Sequence, residues 1–250
     1  MSAAANALWR YMPLLLLAAI WEAVTRFGII SELVLPPLSS VLTSWITLFE
    51  GGNLLYHTAA SLLRGAAGLF AAIAVGTTLG VLMARILPVR IVFRPLVQMF
   101  YPIPKSALIP LMMIWLGIGD VSKIALIFIG CMLPVTVSAF NGARGVDQVL
   151  IWSARSLGAS RSEVLREVIA PAALPEILAG IRTALALSFL LLVSSELLIS
   201  REGLGYLISN FGDGGLYNRM FAVVLTVSVL GFAADRAYLA FTRWVLAWRE

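Results

Sequence analysis

Residues 152–181 read WSARSLGASRSEVLREVIAPAALPEILAGI. Arg155, Arg161, Glu163, Arg166, Glu167 and Glu176 fall inside this stretch, while apolar runs long enough to cross a bilayer flank it on both sides. A charged segment strung between such runs is a loop held at a membrane surface. Local signals describe two short helices with a turn between them. Asp147 is placed to cap the first, Gly158 to end it in the left-handed conformation, and Ser160 with Glu163 forms the S-x-x-E box that starts the second. Pro171 and Pro175 are expected to limit that second helix and redirect the chain into the next span. A solvated loop needs no caps at both ends of so short a piece, so residues 147–176 read as a docking site for a partner outside the lipid. The helix-turn-helix shape raises nucleic acid as that partner. Tethering at both ends, and arginines alternating with Glu163, Glu167 and Glu176 instead of forming an open basic face, exclude it.

Outward from this loop the chain is greasy. With 60% hydrophobic and 12% charged residues over 250, and a mean hydropathy of +0.95, too little polar side chain remains to clothe a water-soluble globule. Six apolar runs are expected as spans, at 11–30, 66–86, 93–117, 121–140, 181–200 and 219–242. They are continuously apolar and rich in Leu, Ala and Gly, which disfavours the alternation of a β-barrel. The expected fold is an all-α, polytopic membrane protein with one transmembrane domain over residues 1–250. With the N- and C-termini in the cytoplasm, twelve of the eighteen basic residues fall on the inner side, and only Arg26, Arg64, Lys105, Lys123, Arg201 and Arg219 lie outside or in the membrane. The net charge of +5 is therefore a topology signal. One cysteine, Cys131, and one histidine, His57, leave no internal disulfide and little for a transition metal, and both read as structural.

Between the spans, Val41–Phe49 reads as an interfacial helix closed by Gly51 and Gly52. Gly68, Ala72, Gly76, Gly80 and Ala84 make a smooth stripe, for packing either within one bundle or between two copies. In the third span Pro102, Pro104 and Pro110 demand a bend or break. Irregular backbone at membrane depth is tolerated where protein buries it or it lines a water-filled cavity, so the break reads either as the wall of a translocation pathway or as a distorted helix near the outer interface with Lys105 reaching to the headgroups. Gln98, Tyr101, Lys105, Ser106, Ser194, Ser195 and Glu196 are the candidate pathway residues, with Lys105 as the partner of Glu196. Gly203 to Ile208 reads as an outer loop.

The run from Trp152 through Gly158 to Pro171 resembles the cytoplasmic EAA loop of binding-protein-dependent ABC importer permeases, with Gly158, Ala154 and Pro171 at pattern positions. Trp152 stands where the pattern has glutamate, and Ser153 where it has the first alanine. Pro102, Ile103, Pro104, Lys105 and Ala107 to Leu111, followed by Trp115, Gly117, Ile118 and Gly119, look like the third-span signature of the nitrate, sulfonate, taurine and bicarbonate group. The resemblance implies a type I importer fold in a bacterial inner membrane and a second permease copy. It further implies two ATP-binding subunits and a periplasmic or lipoprotein solute-binding protein. Trp152, Ser153, Ala154, Arg155, Leu157, Gly158, Ala159, Ser160, Arg161 and Glu163 would then dock the ATPase. The substrate would be a small organic or inorganic anion. Beside this, both lysines lack the Gly-Lys-Ser/Thr context of a P-loop, so no cofactor is expected in this chain, ATP and Mg belong to the partner, and the chain itself is not an enzyme. A secondary transporter working without an ATPase is the rival class, although the internal repeat it would call for is missing.

Overall fold

The computed structural model describes residues 3–198 and 200–249, with side chains for residues 12–198 and 200–248. The side chains of Arg10 and Arg249, two of the basic residues expected on the inner side, lie outside the described set. Among the described residues, four helices are long and apolar enough to cross a membrane, or five if one sharply bent pair counts as a single span. The helix α1 (Ala3–Arg26) takes in residues 11–26 of the expected first span, 11–30, but is not one of those four, and α2 (Leu38–Glu50) forms where an interfacial helix is expected. The Trp21 indole donates to the Pro36 carbonyl at 2.9 Å and the Trp45 indole to Thr226 at 2.9 Å, tying both helices to the rest of the chain.

The core is a stack of three long helices: α3 (Asn53–Arg85), α6 (Asp120–Arg144) and α9 (Ala170–Leu198). The small-residue stripe of α3 faces α6 within the same chain. A Cβ added to Gly80 would sit 2.5 Å from the Thr136 carbonyl, and one on Gly68 would sit 2.8 Å from Ile127. Of the two readings left open by the stripe, packing inside one bundle is the one realised. On the other face of α6, Gly130 meets Leu191 and Gly180 of α9 meets Ser138 just as closely.

The expected break in the third span is present. Helix α4 (Leu87–Phe100) is followed by a 3-10 turn, Lys105–Leu108, and by α5 (Ile109–Leu116), with a bend of 95° between the two halves. Three other expectations need correction. The second span begins at Asn53, thirteen residues ahead of the expected 66, because the charge of Arg64 is neutralised inside the protein. The loop's second helix is not limited by Pro171 and Pro175. The turn α8 (Arg161–Glu163), a π turn at Val164–Ile169 and α9 run on as one 38-residue rod, because the wide π turn shifts the hydrogen-bond register just ahead of proline, as membrane helices tolerate. Gly203–Ile208 is not an outer loop. It opens α10 (Leu204–Asp213), which leads into α11 (Tyr217–Val245).

Candidate functional site

At one end of the bundle, α7 (Gln148–Ser156) packs through Ile151 with the ends of α3 and α6. Asp147 Oδ1 accepts from the Val149 amide at 2.9 Å. The helix closes as a Schellman motif: the Ala159 amide donates to the Ala154 carbonyl at 3.1 Å and the Gly158 amide to the Arg155 carbonyl at 3.0 Å. Gly158 holds φ +90°, with open space around the missing side chain, so backbone conformation is what calls for glycine here. Ser160 and Glu163 then form the expected reciprocal box, with amide-to-side-chain distances of 2.7 and 3.3 Å. The Glu163 carboxyl, exposed ahead of the apolar part of the rod, is held below the usual carboxylate range by the Ser160 backbone N–H and then by the Ser160 hydroxyl.

One face of this element is anchored. Ile151, Val164, Ile169 and Ala173 are buried together with Ala84, Ala139 and Ala143 from the ends of α3 and α6. The opposite face offers apolar surface: Trp152 is 62% and Leu157 is 87% exposed, and Val149 and Leu150 are exposed beside them. Ser153, Arg155, Ser160 and Arg161 are exposed, whereas Ala154 and Ala159 are half-buried against the anchored side. Val149 and Leu150 were missed in the sequence. Val149, three residues ahead of Trp152, carried the available signal of helical spacing, whereas Leu150, two residues ahead, carried none.

The other end of the bundle holds a buried ion cluster. Arg64, 3% exposed, places Nε 2.6 Å from Asp120 Oδ1 and Nη1 2.9 Å from Glu196 Oε1, and it also pairs with Glu202. Glu196, 1% exposed, accepts in addition from the Ser61 hydroxyl at 2.7 Å and the Gly205 amide at 3.0 Å. The Leu204 amide donates to Ser61 Oγ at 2.8 Å, and the Gly203 amide to His57 Nδ1 at 3.0 Å. These three amides at the start of α10 are capped by side chains from α3 and α9, which explains a helix where the local sequence carries no cap. Gly203 has φ +116°, and a Cβ there would lie 2.3 Å from the Glu196 carboxylate.

The expected pairing of Lys105 with Glu196 is therefore wrong. Lys105 Nζ donates instead to the carbonyls of Phe100, Tyr101 and Ile103 at 2.9, 2.7 and 2.6 Å. It caps the C-terminal end of α4 and satisfies the backbone freed by the prolines. The pathway candidates do not converge on one cavity. Ser195 and Glu196 are buried and Ser194 is half-buried, Tyr101 and Ser106 are exposed on the broken span, and Gln98 lines a separate cavity between α4 and α6. Cys131 is structural as expected, its thiol buried 3.3 Å from the Ala184 carbonyl.

Residues 76–247 match the family model described as the binding-protein-dependent transport system inner membrane component. The chain belongs to this family of ABC importer permeases. It is 38% identical over 240 residues to the taurine transport system permease protein TauC of Escherichia coli (strain K12), covering 94% of this chain and 87% of that protein. It is 35% identical over 232 residues to the putative aliphatic sulfonates transport permease protein SsuC of Bacillus subtilis (strain 168), covering 93% and 84%. A solved chain of the MetNI methionine ABC transporter, in inward-facing conformations, shares the fold with a TM-score of 0.66 at 21% identity, over 77% of this chain and 96% of that one. As a permease the chain is a multi-pass membrane subunit, and its family works with an ATPase and a solute-binding protein.

Proposed function

We propose that this permease forms, as a homodimer, the translocation pathway for a small oxyanion, of the sulfonate, taurine, nitrate or bicarbonate type. Two ATPase subunits would dock on the element from Asp147 to Glu163, carrying the ATP and Mg, and a solute-binding protein would deliver substrate at the opposite face. The N- and C-termini lie in the cytoplasm in this reading. One observation carries the docking assignment: a doubly capped helix anchored by Ile151 presents Trp152 and Leu157 to solvent, where a loop with no partner would hide such groups. Trp152 takes the place of a carboxylate contact with an apolar one. Closure of the ATPase dimer would push on this anchored element, and through Val164, Ile169 and Ala173 on the helix ends beneath it. The relatives named for taurine and sulfonate transport support the substrate class.

Co-purification with its ATPase subunit tests the reading, through substrate-stimulated ATP hydrolysis in the presence of the solute-binding protein. Gly158→Trp, at a positive φ beside the exposed face, is expected to abolish stimulation. A complex that stays fully coupled despite this substitution overturns the docking assignment.

A further inference from the structure

On α4, Arg90, Arg94 and Gln98 recur every fourth residue and share one face. Opposite them α6 presents Thr136, Phe140 and Asn141, and between the two helices lies a cavity of about 200 Å³ at the loop-bearing end of the bundle. That volume is below the roughly 300–1,000 Å³ typical of drug-sized ligand sites, which suits a solute of few atoms. Arg94, Gln98, Thr136 and Asn141 supply its polar wall, and Val97 and Val137 part of its apolar one.

The cations here are unevenly committed. The Arg90 guanidinium is tied to the Met83 carbonyl at 2.8 Å and to the Ala84 carbonyl at the end of α3, and it lies 5.7 Å from the Phe140 ring. Arg144 lies 5.7 Å from the same ring. Arg94 makes no ion pair among the described residues, and no carboxylate lines the cavity. By contrast, Lys105 is spent on carbonyls and Arg64 on carboxylates. A guanidinium fork with free donors, flanked by two side-chain amides and backed by two further arginines, matches the geometry of a planar or tetrahedral oxyanion. The short apolar wall has room for a small alkyl group.

We infer that the cavity between α4 and α6 is an oxyanion site, with Arg94 as its principal cation and Gln98 and Asn141 as neutral donors. This rests on the importer reading and deepens it: the site holds the charged head of the solute on the loop side of the broken span. A lipid headgroup phosphate offers the same chemistry at that depth.

The test uses the permease assembled with its ATPase subunit in nanodiscs, of phosphatidylcholine alone or with phosphatidylglycerol, without solute-binding protein. Binding of radiolabelled taurine is measured, with displacement by ethanesulfonate, nitrate and bicarbonate, and retained phosphatidylglycerol is read by native mass spectrometry. Arg94→Gln is expected to weaken anion binding roughly tenfold or more, the loss of one charged hydrogen-bonding group, with Arg94→Lys retaining part of it. If Arg94→Gln instead releases phosphatidylglycerol and leaves solute binding intact, the oxyanion site stands with lipid as its occupant. Equal binding of every anion and of lipid by wild type and Arg94→Gln, or no binding by either, overturns the inference. Failure to assemble with the ATPase would sink the importer reading instead, so the two failures are distinguishable.

Discussion

Arg64 shows how one residue can mislead a linear reading and then organise a structure. Its charge cut short the apolar window of the second span, yet the side chain is buried with Asp120, Glu196 and Glu202 around it. Removing one partner from such a cluster leaves an uncompensated charge in low dielectric, which costs about 3–5 kcal/mol. Arg64→Ala, which orphans the buried Glu196, is expected to destabilise the protein on that scale, and Glu196→Ala less, since Arg64 keeps Asp120 and Glu202. The double substitution should fall short of the sum by about 1 kcal/mol or more, because the Glu196 charge orphaned by the arginine change is gone. Thermal unfolding in detergent measures this, and strict additivity would remove the pair from the energetics. Charge alone marked Glu196 in the sequence as a residue needing a partner. Which cation answered it was not legible, since Arg64 lies 132 positions away and Lys105 is much the closer in sequence.

At the scale of the element, the docking segment was the most legible part. Asp147, Gly158, Ser160 and Glu163 act within a few residues of themselves, so their hydrogen bonds follow from spacing. The Glu163 box carries a pH dependence. Its folded carboxyl titrates below the ordinary value of 4.5, so its stabilisation is fully present above that value and is lost as pH falls through the lower, folded one. Amide hydrogen exchange at Ser160 should accelerate relative to its intrinsic rate on acidification through this window, and Glu163→Gln should flatten the response. An unchanged profile in the variant would show that the box does not titrate. The continuation of this element into α9 was not legible. Prolines at 171 and 175 are local stop signals, and a π turn together with packing against α6 overrode them. Similarly, α10 owes its start to His57 and Ser61, 146 and 143 positions from the amides they accept, and to Glu196, nine positions back.

Taken whole, the molecule has two dissimilar ends. The loop-bearing end carries Arg85, Arg90, Arg144, Arg155, Arg161 and Arg166, and the other carries the buried cluster beneath α10. An excess of arginine on one side sets orientation in a bilayer, which supports the proposed topology with the loop in the cytoplasm. Single cysteines at two exposed positions test it, against a native Cys131 that is buried and silent. Asn218→Cys should react with an impermeant maleimide in intact cells, and Ser162→Cys only after the membrane is opened. The reverse pattern would invert the topology.

By itself the sequence determined that the chain is a helical membrane protein, that its third span breaks, and that capping motifs at Asp147 and Ser160 flank a turn at Gly158. Each of these follows from apolar run length, proline geometry or contacts a few residues apart. Only the tertiary structure decided that the glycine stripe packs inside one chain, that Lys105 closes a helix end, that Arg64 answers Glu196, and that Arg94 is left facing a cavity. Those outcomes depend on which distant backbones approach within hydrogen-bonding or van der Waals range. In a low-dielectric interior every charge and every open carbonyl must find such a neighbour, and a linear pattern names the need without naming the neighbour.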